Sequence, residues 1–253
     1  MKGSMKLQEK TLESLLAVFT QFWRTDRAYS LLLDLRSAGL VMIAAVVVIS
    51  VAGYVPALLV NWVDVEEEWT AERIPELTGE GYTSAQADSL ISGELDEMKR
   101  MTDSLPMASL VERSIVALLA ALVAFGTVYA VEGSKVGRVT DYLTSSMLSQ
   151  SAYMLTGVLL IVLVSLLNIP SSVRLNLSIF VPVDVLQPSR IHVFMYRFLE
   201  SVDIPSVVAM VLWGRGLAAM LHRSRGWGIR LSFSIYIIGI LLISLPVMFA
   251  PAA

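Results

Sequence analysis

Arg215 is the residue of this chain whose position most demands a chemical explanation, because it is the only charge in an apolar run covering residues 204–221. An arginine at a bilayer centre costs about 2.5–3.5 kcal/mol on insertion scales, so it needs a partner, a route to water or a function. Arg215 stands six residues before Leu221, about 9 Å along a helix axis. Two structural outlets follow: snorkelling to the cytoplasmic headgroups, or pairing with Glu132 or Asp141. The functional outlet is a polar cavity for an anionic headgroup or solute, with Tyr142, Tyr153, Ser165 and Asn168 as the other polar candidates for its wall.

Asp203 opens the same run, about 18 Å from Arg215 by helical rise, too far to pair with it within one helix. A carboxylate there suits a helix N-cap, where it accepts free N–H groups and offsets the positive helix end. Its other use is a proton or cation site shared with Glu200. His222, Arg223, Arg225 and Arg230, with Trp227, form a basic group that suits anionic lipid headgroups or simple topological anchoring. Asp64, Glu66, Glu67, Glu68, Glu72 and Glu76 would attract divalent cations, yet adjacent glutamates lack the alternating spacing of a calcium loop. A solvated outer face is expected there.

Several chemistries are not expected. The chain has no cysteine, and its two histidines, His192 and His222, lie thirty residues apart, so no thiolate or histidine-rich metal motif exists. Gly214–Gly216 and Arg225–Gly228 are not phosphate loops, since no strand precedes them and no Lys-Ser/Thr pair follows. Without a serine–histidine pair or paired intramembrane aspartates, no enzyme, cofactor or metal is expected, and nothing points to nucleic acid.

The elements that must position these residues are membrane spans. Of 253 residues, 55% are apolar and 16% charged, with mean hydropathy +0.67. Average soluble domains carry about 25% charge. Residues 37–61, 142–173 and 231–253 contain no charge at all, which meets the roughly 20 residues needed to cross a bilayer. The reading is an all-α membrane protein, a bundle of five transmembrane helices at 39–60, 114–131, 151–168, 204–221 and 231–250.

Residues 1–38 read as a cytoplasmic amphipathic segment rather than a signal peptide. Leu12, Leu15, Leu16, Phe19, Phe22 and Trp23 recur at helical spacing beside Lys10, Arg24 and Arg27, the pattern of a helix lying in the interface. Lysine and arginine placement puts the N-terminus inside and the C-terminus outside. The loop 61–113 carries 13 acidic against four basic residues and is therefore placed outside. There Ser84 is the expected cap of a helix with an apolar stripe of Leu90, Ile91, Leu95 and Met98, extending the second span outward. Trp62 and Trp69 are candidates to anchor this insertion on headgroups. Residues 169–203 are an outer loop whose apolar centre, 175–183, is too short to span and is expected to be re-entrant or interfacial.

From Gly133 onward the order of features resembles the Yip family of Ypt/Rab-interacting membrane proteins, in its bacterial branch. The resemblance rests on Ser201-Val202-Asp203-Ile204-Pro205-Ser206, Trp213 and Gly216-Leu217-Ala218, on Tyr142, Ser151 and Tyr153 before the third span, and on the outer Tyr82–Gln86 stretch. Arg215 departs from it, standing where the family usually has an apolar residue. The resemblance implies five clustered spans, a cytoplasmic N-terminus and membrane-trafficking or membrane-shaping relatives in eukaryotes that bind small GTPases. The expected function is a non-enzymatic membrane-organising or scaffold protein of the bacterial inner membrane. Its expected partners are the lipid bilayer with its anionic headgroups, a second copy of the chain or another membrane protein. The alternative is a small-solute or ion transporter built on Arg215.

Overall fold

The computed structural model describes residues 2–59, 62–133, 137–167, 176 and 190–246. Among these the chain is helical throughout, apart from an isolated bridge between Asn176 and Asp203. The helices are α1 (Lys2–Thr20), α2 (Thr25–Ser30), α3 (Leu35–Leu59), α4 (Trp62–Gly79), α5 (Ser84–Glu132), α6 (Val139–Leu166), α7 (Arg190–Glu200), α8 (Ile204–Met220) and α9 (Arg225–Ser244), with a 3-10 turn at Leu31–Leu33.

Four of them, α3, α5, α6 and α9, are long and apolar enough to cross a membrane, and they mark the chain as an integral membrane protein. Their outer faces make the same point. Along α3, Val41, Ala45, Ile49 and Ala52 are buried, while Ile43, Val47, Val51, Tyr54 and Leu58 form an exposed stripe at helical spacing. A helix that is apolar on both its packed and its open face suits lipid rather than water. α5 turns Ala117, Ala121, Ala124 and Val128 inward, small side chains that let membrane helices approach closely. The expected span at 204–221 forms α8, apolar but only 17 residues long, with most of its length buried by its neighbours.

The expected third span, 151–168, falls for most of its length within a longer helix, α6, which begins twelve residues earlier, at Val139. Thr140–Ala152 reads as a polar connection, yet nearly every residue from Asp141 to Ala152 is buried. α6 is the central helix of the bundle, packed against α1, α3, α5 and α8. Its hydroxyls do not break the helix because they bond to carbonyls one turn back: Thr144 to Thr140 (2.9 Å), Ser145 to Tyr142 (2.8 Å) and Ser151 to Leu148 (2.6 Å). Others bond across to α8, with Ser149 donating to the Ala209 carbonyl at 3.0 Å and the Trp213 indole donating to Ser145 at 3.2 Å.

The insertion at 62–113 is a helical hairpin. α5 is continuous over 49 residues and packs against Gly53 of α3 at Pro106 and Ser109, so its part before Pro106 runs about 33 Å. α4 packs back along it through Leu77, Ala87, Ile91 and Leu95, with Val65, Trp69, Ile74 and Met98 alongside. The cap is Thr83 rather than the expected Ser84, in a reciprocal box with Gln86. Arg73 bonds to Glu76 and, at 2.8 Å, to Glu94, which also accepts from the Trp69 indole. These donors hold the Glu94 carboxyl below the usual glutamate range. Trp69 and Trp62 thus serve the hairpin, Trp62 lying under Lys99, instead of standing free as anchors.

α7 lies inside the expected loop 169–203, where Ile191, Met195 and Phe198 stand at helical spacing. The expected re-entrant stretch at 175–183, except Asn176, lies outside the described residues, as do Asn168 and the end of the expected last span.

α8 and α9 meet backbone to backbone. A Cβ on Gly228 would overlap the Gly214 carbonyl, and one on Gly214 would overlap Ile229. Gly157, in the open, meets nothing within 4 Å. Gly228→Ala should therefore lower the thermal stability of the detergent-solubilised chain by about 1–3 kcal/mol, whereas Gly157→Ala should leave it unchanged or raise it slightly. Calorimetry on the two variants checks this.

Candidate functional site

Two polar centres lie at opposite ends of α8. At its N-terminal end Asp203 caps the helix as expected, accepting from the Ser206 N–H at 2.7 Å. Its second oxygen accepts from the Tyr153 hydroxyl at 3.3 Å, so Tyr153 and not Glu200 shares this carboxylate. The Arg113 guanidinium lies over the Tyr153 ring at 4.1 Å, and the Tyr236 hydroxyl donates to the Ser201 carbonyl. α5, α6, α8 and α9 are thereby tied together at one level. Tyr153 does not line an open path; its hydroxyl is committed to the cap.

Around the C-terminal end of α8 five cations are paired with carboxylates. Arg223 pairs with Glu132 at 2.7 Å, Arg225 with Asp26 at 2.6 Å, Arg138 with Asp141 at 2.7 Å and Lys10 with Asp34 at 3.2 Å, and Arg27 bonds to Glu13. Arg138 also donates to the Leu33 carbonyl at 3.2 Å. These bonds tie α1 to α2 and to the segment before α3, α2 to the start of α9, and the connection after α8 to the end of α5. Two of the three arginines expected at headgroups are thus engaged within the protein. Arg230 is exposed and bonds only to the Gly226 carbonyl of its own helix.

Arg215 also has no carboxylate partner among the described residues, and unlike the exposed Arg230 its Nε is buried. Both carboxylates expected to pair with it, Glu132 and Asp141, are held by Arg223 and Arg138. Its Nε is sealed from solvent without a hydrogen-bond partner. The Tyr29 hydroxyl, the Gln21 carbonyl oxygen and the Gln150 carbonyl oxygen share that condition. Gln21 is anchored through its amide nitrogen, which donates to the Val18 carbonyl at 2.7 Å and to Ser151 at 3.3 Å. The buried polar residues of α6, Thr144, Ser145, Ser149, Gln150 and Ser151, are not among the polar candidates read from the sequence; the signal for them is their place inside the uncharged run 142–173.

Among the described residues no three histidine or acidic side chains are grouped to hold a metal ion. No family model matches the chain, and no curated protein or solved structure matches it either.

Asp34 precedes α3 and accepts from the Ser37 hydroxyl at 2.8 Å and the Ser37 N–H at 3.1 Å. These bonds, then the Lys10 ammonium, bring its carboxyl down to about 2. Ordinary aspartate titrates near about 3.9. Because the folded value is the lower one, the stabilisation is complete above about pH 4 and is lost as pH falls toward 2. The melting temperature of the wild-type chain should fall across that window more steeply than that of Asp34→Asn, as read by thermal melts in detergent.

Proposed function

We propose that this chain is a five-span, non-enzymatic membrane-organising or scaffold protein of Yip-like type, acting through lipid and protein contacts in a bacterial inner membrane. Its N-terminus is cytoplasmic and its C-terminus lies outside. The observation that carries this reading is the way α1 is mounted. Ser14, Ala17, Val18 and Gln21 are buried against the bundle, while Leu12, Leu15, Leu16, Phe19 and Trp23 are all exposed. An amphipathic helix that packs its small and polar side inward and leaves its apolar side open is built for a lipid interface. Its ion pairs, Lys10 with Asp34 and Glu13 with Arg27, hold it beside α2 and the start of α3.

Further support comes from α8, which runs from the Asp203 centre to the inner ion-pair lattice as a crossing helix must. Although 17 residues give only about 26 Å, Asp203 and the Leu221 turn extend it at both ends. The outer hairpin, projecting well beyond the bundle, offers a surface for a second copy or another membrane protein.

A second reading, a small-solute or ion transporter using Arg215, draws on the buried hydroxyls of α6 and the unpaired guanidinium. The two readings separate in proteoliposomes. The scaffold reading expects the wild-type chain to reshape vesicles at high protein density without solute flux, and Phe19→Glu to lose most of that reshaping by adding a charge to the lipid-facing side. Solute flux that disappears in Arg215→Leu, with vesicle shape unchanged, would establish the transporter instead.

A further inference from the structure

The neighbours of Arg215 decide where its guanidinium emerges. Gly214 lies against α9, where a Cβ would overlap Ile229, and Gly216 lies against α2, where a Cβ would overlap the Tyr29 ring. Successive helical positions are turned about 100° from each other, so Arg215 comes out on the remaining face of α8, between α2 and α9. That face is the half-exposed stripe of Val208, Val211, Arg215 and Ala219. The Asp26–Arg225 ion pair links α2 to α9 on the cytoplasmic side of this cleft.

Within the cleft the guanidinium is presented in one orientation. Nε is sealed and unbonded, and among the described residues no hydrogen bond or ion pair reaches the side chain. The terminal amines Nη1 and Nη2 are not sealed in this way, so they form the edge available to a ligand. Two N–H groups on one edge of a planar cation match two oxygens of a phosphate. The carboxylates that would otherwise compete are taken: Glu132 by Arg223, Asp141 by Arg138 and Asp26 by Arg225. A cation in this setting needs an anion from outside the chain.

We propose that Arg215, at the base of the cleft between α2 and α9, binds a phosphate group on the cytoplasmic side of the membrane. The site rests on the membrane-embedded reading of the bundle and gives its lipid contact a specific place. The same phosphate chemistry has two sources, the headgroup of an inner-leaflet phospholipid and free phosphate. The depth of Arg215, six residues inside the end of the apolar run, is within reach of a headgroup by side-chain extension.

The test uses the full chain purified in detergent, with Arg215→Leu, Arg215→Lys and, as a control on the exposed hairpin, Arg100→Ala beside it. Phosphatidylglycerol and inorganic phosphate are titrated separately, and bound ligand is counted by native mass spectrometry. Wild type and Arg100→Ala are expected to retain phospholipid, and Arg215→Leu to bind it about tenfold more weakly or worse, the loss of one charge-assisted pair. Arg215→Lys, which keeps the charge but not the two-pronged edge, covers the case in which the leucine variant does not fold. It is expected to bind several-fold more weakly than wild type. Binding of inorganic phosphate with no phospholipid identifies the free anion as ligand. Binding of neither, or equal binding by wild type and both Arg215 variants, overturns the proposal. Failure of this site with vesicle reshaping by the wild-type chain intact would overturn the site while leaving the scaffold reading standing; loss of reshaping by the wild-type chain would instead count against the scaffold reading.

Discussion

Close contact between backbones at α8 is the constraint on which the rest of the structure depends. Gly214 and Gly228 bring α8 and α9 together with no side chain between them, and Gly216 receives the flat of Tyr29 from α2. With α8 drawn in this far, its carbonyls come within reach of hydroxyls on its neighbours. Ser232 donates to Met210 at 2.8 Å and Ser149 to Ala209 at 3.0 Å. Trp213 is then fully enclosed and its indole donates to Ser145. In lipid there is no hydrophobic gain from bringing apolar helices together, so tight packing and interhelical hydrogen bonds must supply the association. α8 has both, and its position in turn leaves Arg215 only one face from which to emerge.

The membrane character of the chain was legible because it depends on long uncharged windows, which survive any error in boundaries. The cap at Asp203 was legible for a similar reason, since the requirement is local to one helix end. The start of α6 was not. Thr144, Ser145, Ser149 and Ser151 look like a solvated connection by composition, and only tertiary enclosure makes them interior. Serine and threonine can satisfy their own hydroxyls within a helix, so polar composition alone does not mark water exposure. The pairing of Arg223 and Arg225 was equally hidden, because their partners lie 91 and 199 residues away, whereas Arg138 and Asp141 stand at local i,i+3 spacing. Positive charge near span ends predicts which side of the membrane they occupy, but not whether they face lipid or a carboxylate.

The two ends of the bundle are built differently. Beyond one, α4 and α5 form a helical hairpin fastened by its own Arg73, Glu94 and Trp69. At the other, ion pairs tie α1 to the segment before α3 and α2 to the start of α9, and α1 keeps an apolar side exposed.

The central claim is that the exposed side of α1 lies in lipid, and the absence of native cysteine allows it to be measured directly. Spin labels placed singly at Phe19→Cys and Glu13→Cys in the reconstituted chain would be compared for access to oxygen and to a water-soluble nickel reagent. A label at position 19 that favours oxygen, beside one at position 13 that favours nickel, is the predicted result. A label at position 19 as accessible to nickel as the one at position 13 would place α1 in water and contradict the account.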